Sequence, residues 1–267
     1  MPFSVRVSVT FGPCSYRELS KPIHETGKTP TMVSHLPLLR ALTYEVIIGF
    51  KNQKVYNQFV LMVEKVVVGQ LATNCYLVTD DKSRETLVID PGDDAELIIN
   101  RVRDLELKPK QIVVTHGHFD HLLAVNELKT AFEIPFLLSR KDEVMLVWFR
   151  KSTQHFVGFD PGPAPIVDAY LRRKIQVFDI KFKIIETPGH TPGGICLYLK
   201  EKNILFSGDT IFAEGAVGRT DYPYCNKNDL SESIKKLMRL PDDTLVYPGH
   251  GEETTIGQEK MFHRMQK

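Results

Sequence analysis

The chain has 267 residues, 42% hydrophobic and 25% charged, enough apolar content to bury a sizeable core in one large domain or in one domain with an appendage. A formal net charge of +1 offers no basic field to nucleic acid, and no stretch reaches the roughly 18 consecutive apolar residues of a membrane span. Four cysteines, Cys14, Cys75, Cys196 and Cys225, lie far apart without a Cys-x-x-Cys pair, a pattern that fits a reducing compartment better than a disulfide framework.

The front of the chain stands apart from the rest. Residues 1–61 hold seven Lys/Arg against three Glu, a charge of +4 that leaves −3 for the remainder. They alternate short apolar pieces with Pro, Thr, Ser and His, have no sustained period outside Leu38–Phe50 and carry no motif. A weakly structured N-terminal extension of unknown role is therefore expected over 1–61. Arg6 interrupts the only early apolar run, which argues against a secretory signal, and the acidic residues weigh against a transit peptide while leaving organellar targeting open. A cytoplasmic location is expected. The second domain is expected over 62–267, opening with the strand-like run Met62-Val-Glu-Lys-Val-Val-Val-Gly69.

Strands are predicted at Val63–Val68, Asn74–Thr79 and Thr86–Asp90, then a helix over Asp93–Arg103 with Asp93, Asp94 and Glu96 in its first turn. The β-branched run Gln111–Thr115 reads as a buried strand, and Leu122–Thr130 has helical spacing. Lys141–Leu171 holds an apolar helix-like piece followed by the proline-rich loop Gly158–Pro165, a long connection of the kind that lines clefts. Further strands are predicted at Gln176–Phe178, Phe182–Thr187, Ile195–Leu199, Asn203–Ser207 and Thr244–Tyr247. A helix near Leu230–Leu240, capped by Asp229 or Asn228, and another near the C-terminus complete the order.

Chemistry concentrates at four strand ends. Thr115-His116-Gly117-His118-Phe119-Asp120-His121 packs three histidines and an aspartate into one strand-to-helix loop. There His116 and His118 can point one way, as alternate residues do, while Asp120 and His121 leave from the first helical turn. Three later segments end an apolar strand with a glycine and then one ligand-type side chain: Pro188-Gly189-His190, Ser207-Gly208-Asp209 and Pro248-Gly249-His250. If the loops converge they supply seven ligands, with His116, His118 and His190 for one metal, Asp120, His121 and His250 for a second, and Asp209 bridging. Imidazole and carboxylate without thiolate suit Zn, Fe, Mn, Ni or Co and argue against a structural Cys-type site.

With these motifs the chain resembles the metallo-β-lactamase superfamily from Met62 onward. Within it, Thr187-Pro-Gly-His-Thr-Pro-Gly-Gly194, Ser207-Gly-Asp-Thr210, Gly218-Arg-Thr-Asp221 and Tyr247-Pro-Gly-His-Gly251 are most similar to small glyoxalase II-like (hydroxyacylglutathione hydrolase-like) hydrolases. The resemblance implies an α+β fold, a four-layer αββα sandwich of two mixed β-sheets flanked by helices. It also implies two divalent metal ions, Zn first with Fe or Mn as alternatives, and supporting roles for Arg219 and Asp221 behind the ligands.

The ligand set suggests a reaction. Two cations about 3.5–4 Å apart lower the pKa of a shared water from about 15.7 towards about 7, so the water is the nucleophile and Asp120 and Asp209 act first as ligands. A thiolate, with a parent pKa near about 8.5, departs without a dedicated acid, whereas an amide nitrogen needs one. The expected function is thioester hydrolysis of the hydroxyacylglutathione hydrolase type, on small-molecule substrates such as S-lactoylglutathione. Full-length glyoxalase II enzymes carry a C-terminal helical domain that helps hold glutathione, but only 17 residues follow His250, so recognition of that carrier stays open. Arg140, Lys141, Arg150, Lys151, Arg172 and Arg173 are the cations available for it.

A mononuclear iron persulfide dioxygenase of the same superfamily, using His116, His190 and Asp209, is the alternative; its usual Gly-Cys-Gly-Arg-Thr-Asp reads Ala216-Val217-Gly218-Arg219-Thr220-Asp221 here. A lactamase is disfavoured by the missing secretion signal. A nuclease is disfavoured by the lack of a basic surface or clamping domain.

Overall fold

The computed structural model describes residues 61–177 and 180–265; most of the expected N-terminal extension, and Phe178 of one predicted strand, lie outside them. Among the described residues, two six-stranded mixed sheets face each other. The first sheet runs in chain order through β1 (Leu61–Val68), β2 (Thr73–Asp80), β3 (Glu85–Ile89), β4 (Lys108–Val113), β5 (Phe136–Leu138) and β6 (Ala169–Tyr170). Strands β1 to β3 form an antiparallel meander, and the parallel pairs β3–β4 and β4–β5 are joined by α1 (Ala95–Asp104) and α2 (Val125–Phe132).

The second sheet orders β7 (Lys174–Val177), β8 (Ile180–Glu186), β9 (Ile195–Leu199), β10 (Ile204–Gly208), β11 (Leu245–Pro248) and β12 (Thr254–Thr255). Only β10–β11 is parallel in it, its crossover containing α4 (Lys227–Leu237); α3 (Phe149–Phe156) precedes β6, and α5 (Ile256–Met265) follows β12.

Side-chain alternation builds the layers. In β2, Cys75 and Leu77 join an outer core with Ile98 and Val102 of α1 and Val125 and Leu128 of α2, while Tyr76 and Val78 enter the core between the sheets. Phe182, Leu197 and Phe206 fill that middle layer from the second sheet. On its far face Cys196, Leu205 and Val246 pack against Leu237 of α4 and Ile256 of α5. Three apolar interfaces between four layers make the expected αββα sandwich. Cys75, Cys196 and Cys225 are free thiols, the first two fully buried in β2 and β9. None of the described helices is long and apolar enough to cross a membrane.

Several local expectations shift. The cap of α4 is Asn226 rather than Asn228 or Asp229: its side-chain oxygen accepts the Asn228 and Asp229 N–H groups at 2.9 and 3.1 Å. Asp120 and His121 do not leave from α2 but from a separate 3₁₀ turn, Phe119–His121, which delays α2 to Val125. The helix-like piece after Lys141 divides into a 3₁₀ stretch, Arg140–Trp148, and α3. Strands β5, β6 and β12 carry too few residues for a readable period.

Candidate metal centre

The four motif loops meet at one end of the sandwich. Because β10 and β11 are parallel and Gly208 is in register with Pro248, Asp209 and His250 emerge side by side. The two sheets are tied together here: Ile195 N donates to Thr115 O at 2.9 Å, and Asn74 N donates to Gly249 O at 2.7 Å. Gly208 has φ +49°, and a Cβ on it would overlap Thr115 Oγ1. Gly249 is needed for proximity instead, since a Cβ there would overlap the Asp209 carboxylate.

The seven expected ligands fall into two clusters, His116, His118, His190 and Asp209, and Asp120, His121 and His250; within each, one donor atom per residue lies within 4.8 Å of the others. The Asp209 carboxylate stands between them. Its Oδ2 is 3.8 Å from His116 Nε2, 3.5 Å from His190 Nε2 and 3.6 Å from His250 Nε2, while Oδ1 is 3.5 Å from His121 Nε2. Asp120 Oδ2 is 3.4 Å from His250 Nε2 and 3.7 Å from His121 Nε2.

Each imidazole turns one nitrogen inward and has the other next to a protein oxygen. Thr115 Oγ1 donates to Asp90 Oδ2 at 2.7 Å, so it accepts from His116 Nδ1 at 3.1 Å. His190 Nδ1 donates to Arg219 O at 2.9 Å, and His250 Nδ1 to Leu71 O at 3.0 Å. His121 Nδ1 lies 3.1 Å from Asp90 Oδ2, short of hydrogen-bond alignment. His118 reverses the pattern, presenting Nδ1 to the cluster and placing Nε2 3.0 Å from Tyr224 OH. Outer partners of this kind fix tautomer and ring orientation for ligation.

The electrostatics suit cations. Burial first, then repulsion from His121, puts His116 well below the ordinary histidine range; burial and His190 push His118 down to about 3. Burial would raise Asp209, but His121 above all, with His190 and His116, holds it well below the usual carboxylate range. Burial likewise opposes the ionisation of Asp120, which His121 and His250 outweigh. Burial opposes protonation of His121 and His250 as well, but Asp209, Asp90 and Asp120 raise His121 well above the ordinary histidine range, and Asp120 and Asp209 raise His250. Neutral imidazoles and ionised carboxylates are the forms that bind metal, so a cation taken up here would displace protons from these two rings. Moreover, His121 Nε2, His190 Nε2 and Asp209 Oδ1 are buried without hydrogen-bond partners, a cost of about 1–3 kcal/mol each that a coordinated cation would remove. The residues present fit a metal pair.

The clusters open into a cavity of about 740 Å³. Leu71, Phe119, Met145, Trp148, Phe149 and Phe156 make its apolar part, and Arg219, Tyr222 and Tyr224 face the His190 side. The cleft is therefore lined by the 3₁₀ stretch and α3, and the proline-rich Gly158–Pro165 loop takes no part. Of the six cations considered for glutathione none lines the cavity: Arg150 pairs with Asp160, Lys141 with Glu186, and Arg140 lies over the Tyr170 ring. Arg219 acts on the cluster through its backbone carbonyl. Its guanidinium grips Asp221 through two hydrogen bonds of 2.7 and 2.6 Å and stacks over Tyr222.

Two carboxylates escaped the sequence reading. Asp90 accepts from Thr115 N and Oγ1, both at 2.7 Å. Asp142, fully buried, accepts from Gly117 N at 2.8 Å, Thr191 Oγ1 at 2.7 Å and Gly193 N at 2.5 Å, joining the His116–His118 loop to the segment after His190. No motif flags either residue, because their work is to bind backbone.

Comparison with known proteins agrees with this geometry. A family model described as the metallo-beta-lactamase superfamily matches residues 68–250, and the chain belongs to that superfamily, whose members bind metal ions and are mostly metal-dependent hydrolases. It is 37% identical over 203 residues to the hydroxyacylglutathione hydrolase GloC of Haemophilus influenzae, spanning 74% of this chain and 94% of the relative. Among solved structures it is similar to the BLEG-1 B3 metallo-beta-lactamase (TM-score 0.70, 34% identity, 75% of this chain and 97% of that one). It is also similar to TTHA1623 in a di-iron-bound form (TM-score 0.68, 35% identity, 74% and 97%).

Proposed function

We propose that the protein is a dinuclear metallohydrolase that cleaves thioesters, the reaction type of hydroxyacylglutathione hydrolases. The observation that carries this reading is the Asp209 carboxylate placed between two ligand clusters at the floor of a 740 Å³ cavity. His116, His118 and His190 would hold one ion, Asp120, His121 and His250 the other, and Asp209 both. Zn is the first candidate, with Fe or Mn as alternatives. When bound, such a pair supplies a water acidic enough to attack at neutral pH and positive charge for the developing oxyanion.

The chain's own groups do the rest. Asp120 and Asp209 stay ionised, and the Nδ1 contacts hold the His116, His190 and His250 rings in place. Burial raises the Tyr224 phenol above its ordinary range, so it remains a hydroxyl, and with its oxygen accepting from His118 its proton is free to turn towards a substrate. In the reaction one C–O bond forms at the acyl carbon and one C–S bond breaks; thioester and water give a carboxylate, a thiol and a proton. No side chain is needed to protonate the leaving sulfur, which distinguishes thioesters from amides.

The intact Asp120–His121–His250 cluster favours this reading over a mononuclear dioxygenase. The three free thiols suit a reducing compartment, and we place the protein in the cytoplasm on that ground. Thiol release from a panel of thioesters by metal-reconstituted protein tests the proposal, with Asp209→Ala as the inactive control. Oxygen uptake with a persulfide and no thiol release would overturn it.

A further inference from the structure

Trp148 and Phe156 line the cavity yet are 49% and 47% exposed, so two large apolar side chains stand against water beside a cluster of ligand-type residues. With Met145, Phe149, Phe119 and Leu71 they form a continuous apolar surface reaching down to Asp120 and His250. Phe156 is stacked on Phe119 at 5.7 Å between ring centroids, and Phe149 is only 2% exposed, so the wall is anchored in the core. An open apolar surface of this extent marks a binding site.

The charges point the same way. A tripeptide carrier with two carboxylates needs cations, and the one cationic side chain in the lining, Arg219, is already engaged by Asp221. Outside the ligand clusters the wall carries one polar side chain, Ser152, and the other polar groups gather on the far side of the cavity, where the Tyr224 hydroxyl lies next to His118 and the Arg219 carbonyl next to His190. The Tyr224 hydroxyl could donate to a departing thiolate there, whereas the acyl chain would gain only on the apolar wall. On the strength of the thioesterase reading, we infer that the substrate is a thioester of an extended apolar acyl group, such as a medium-chain fatty acid. The acyl chain lies along Met145, Trp148, Phe149 and Phe156, and a small hydroxyacyl group is not the preferred one.

The experiment uses the full-length, metal-loaded protein. kcat/KM is measured for acetyl, butyryl, hexanoyl and octanoyl esters of one uncharged thiol, and for one acyl group on a series of thiols including glutathione. The acyl series should rise roughly threefold per added methylene while the thiol series stays nearly flat, and Trp148→Ala should flatten the acyl slope. Trp148 is the chain's only tryptophan, so its fluorescence reads occupancy of the wall without turnover. A non-hydrolysable octyl thioether analogue should give a saturable change that its acetyl-sized counterpart does not.

A flat acyl series, or S-lactoylglutathione turned over faster than the octanoyl ester, would overturn the inference and leave the hydrolase reading standing. A slope found only in the thiol series would also overturn it, by placing the apolar group on the carrier. Hydrolysis of no thioester at all would sink the hydrolase reading; the fluorescence titration would then decide alone whether this wall binds an apolar chain.

Discussion

Asp142 Oδ2 accepts the Gly117 N–H at 2.8 Å, so a buried carboxylate from the 3₁₀ stretch holds the backbone between His116 and His118. The same carboxylate binds Thr191 Oγ1 and Gly193 N, and Met145, three residues on, belongs to the cavity wall. One element therefore sets both the spacing of two ligand loops and the position of the apolar surface.

Asp142→Ala should consequently do more than loosen a loop. It leaves two N–H groups and a hydroxyl buried without acceptors, which should cost about 2–5 kcal/mol of stability, measurable by denaturant unfolding. Metal affinity should fall roughly 10–100-fold, as when other outer supports of metal ligands are removed. Asp142→Asn keeps one oxygen acceptor and should recover part of both. Unchanged metal affinity in a folded Asp142→Ala protein would mean that the carboxylate is a core staple only.

The ligand clusters predict stoichiometry. Reconstitution with Zn, Fe or Mn should give up to two ions per chain by elemental analysis, and Asp209→Ala should lower the occupancy of both positions because its carboxylate lies within 3.8 Å of His116 and His190 of one cluster and His121 and His250 of the other. His190→Ala should weaken one position only and should abolish thioester hydrolysis, with circular dichroism close to that of the parent protein. A ratio that never exceeds one would remove the dinuclear reading.

How much of this was legible beforehand depends on how locally each feature is encoded. The ligands announce themselves because four crowd into one loop after a strand and the other three each follow a strand and a glycine turn, while β8 carries a buried–exposed alternation and β2 and β9 read as continuously buried runs in their own residues. Asp90 and Asp142 leave no such mark: what they bind is a backbone N–H or a hydroxyl distant in sequence, and an isolated aspartate looks the same with or without it. Gly117 could have hinted at the second, since a Cβ there would overlap Met145 and the Asp142 carbonyl, but one sequence does not show that this glycine is required. The apolar wall was half visible. Its residues read as an ordinary helix face, and only the fold shows that Trp148 and Phe156 turn towards a cleft. The α4 cap moved to Asn226 because several neighbouring polar residues can all cap, and backbone geometry chooses among them.

Asp168 gives a pH dependence. Its Oδ2 accepts the Phe136 N–H at 2.8 Å and pairs with Lys129 at 2.6 Å; burial would raise its pKa, but these partners hold it below the ordinary carboxylate value. A depressed folded pKa stabilises at pH above the unfolded value, near about 3.9, and that contribution is lost as pH falls through the folded value. Stability conferred by this group should thus be constant from neutral pH to about 5 and decline below about 4. Asp168→Asn should flatten the acid limb of the unfolding curve while leaving its neutral part parallel. An acid limb identical in both proteins would show that Asp168 carries no linked stability.

The last prediction concerns the front of the chain. Strand β1 begins at Leu61 and pairs along its whole length with β2, from Leu61 opposite Asp80 to Val68 opposite Thr73, and among the described residues it is the edge strand of the first sheet. The seven candidate ligands lie after that point, as do the cavity wall and the three apolar cores formed among the described residues. We therefore propose that residues 62–267 form a hydrolase domain complete in its chemistry and that 1–61 is an extension, with Leu61 itself belonging to β1. Deleting Met1–Val60 should leave metal content, thioester turnover and cooperative unfolding within experimental error of the full chain, and limited proteolysis of the full chain should cut first before Leu61. Loss of cooperative unfolding in the truncated protein would show that the segment contributes to the core; retained unfolding with lost turnover would show instead that it completes the cleft.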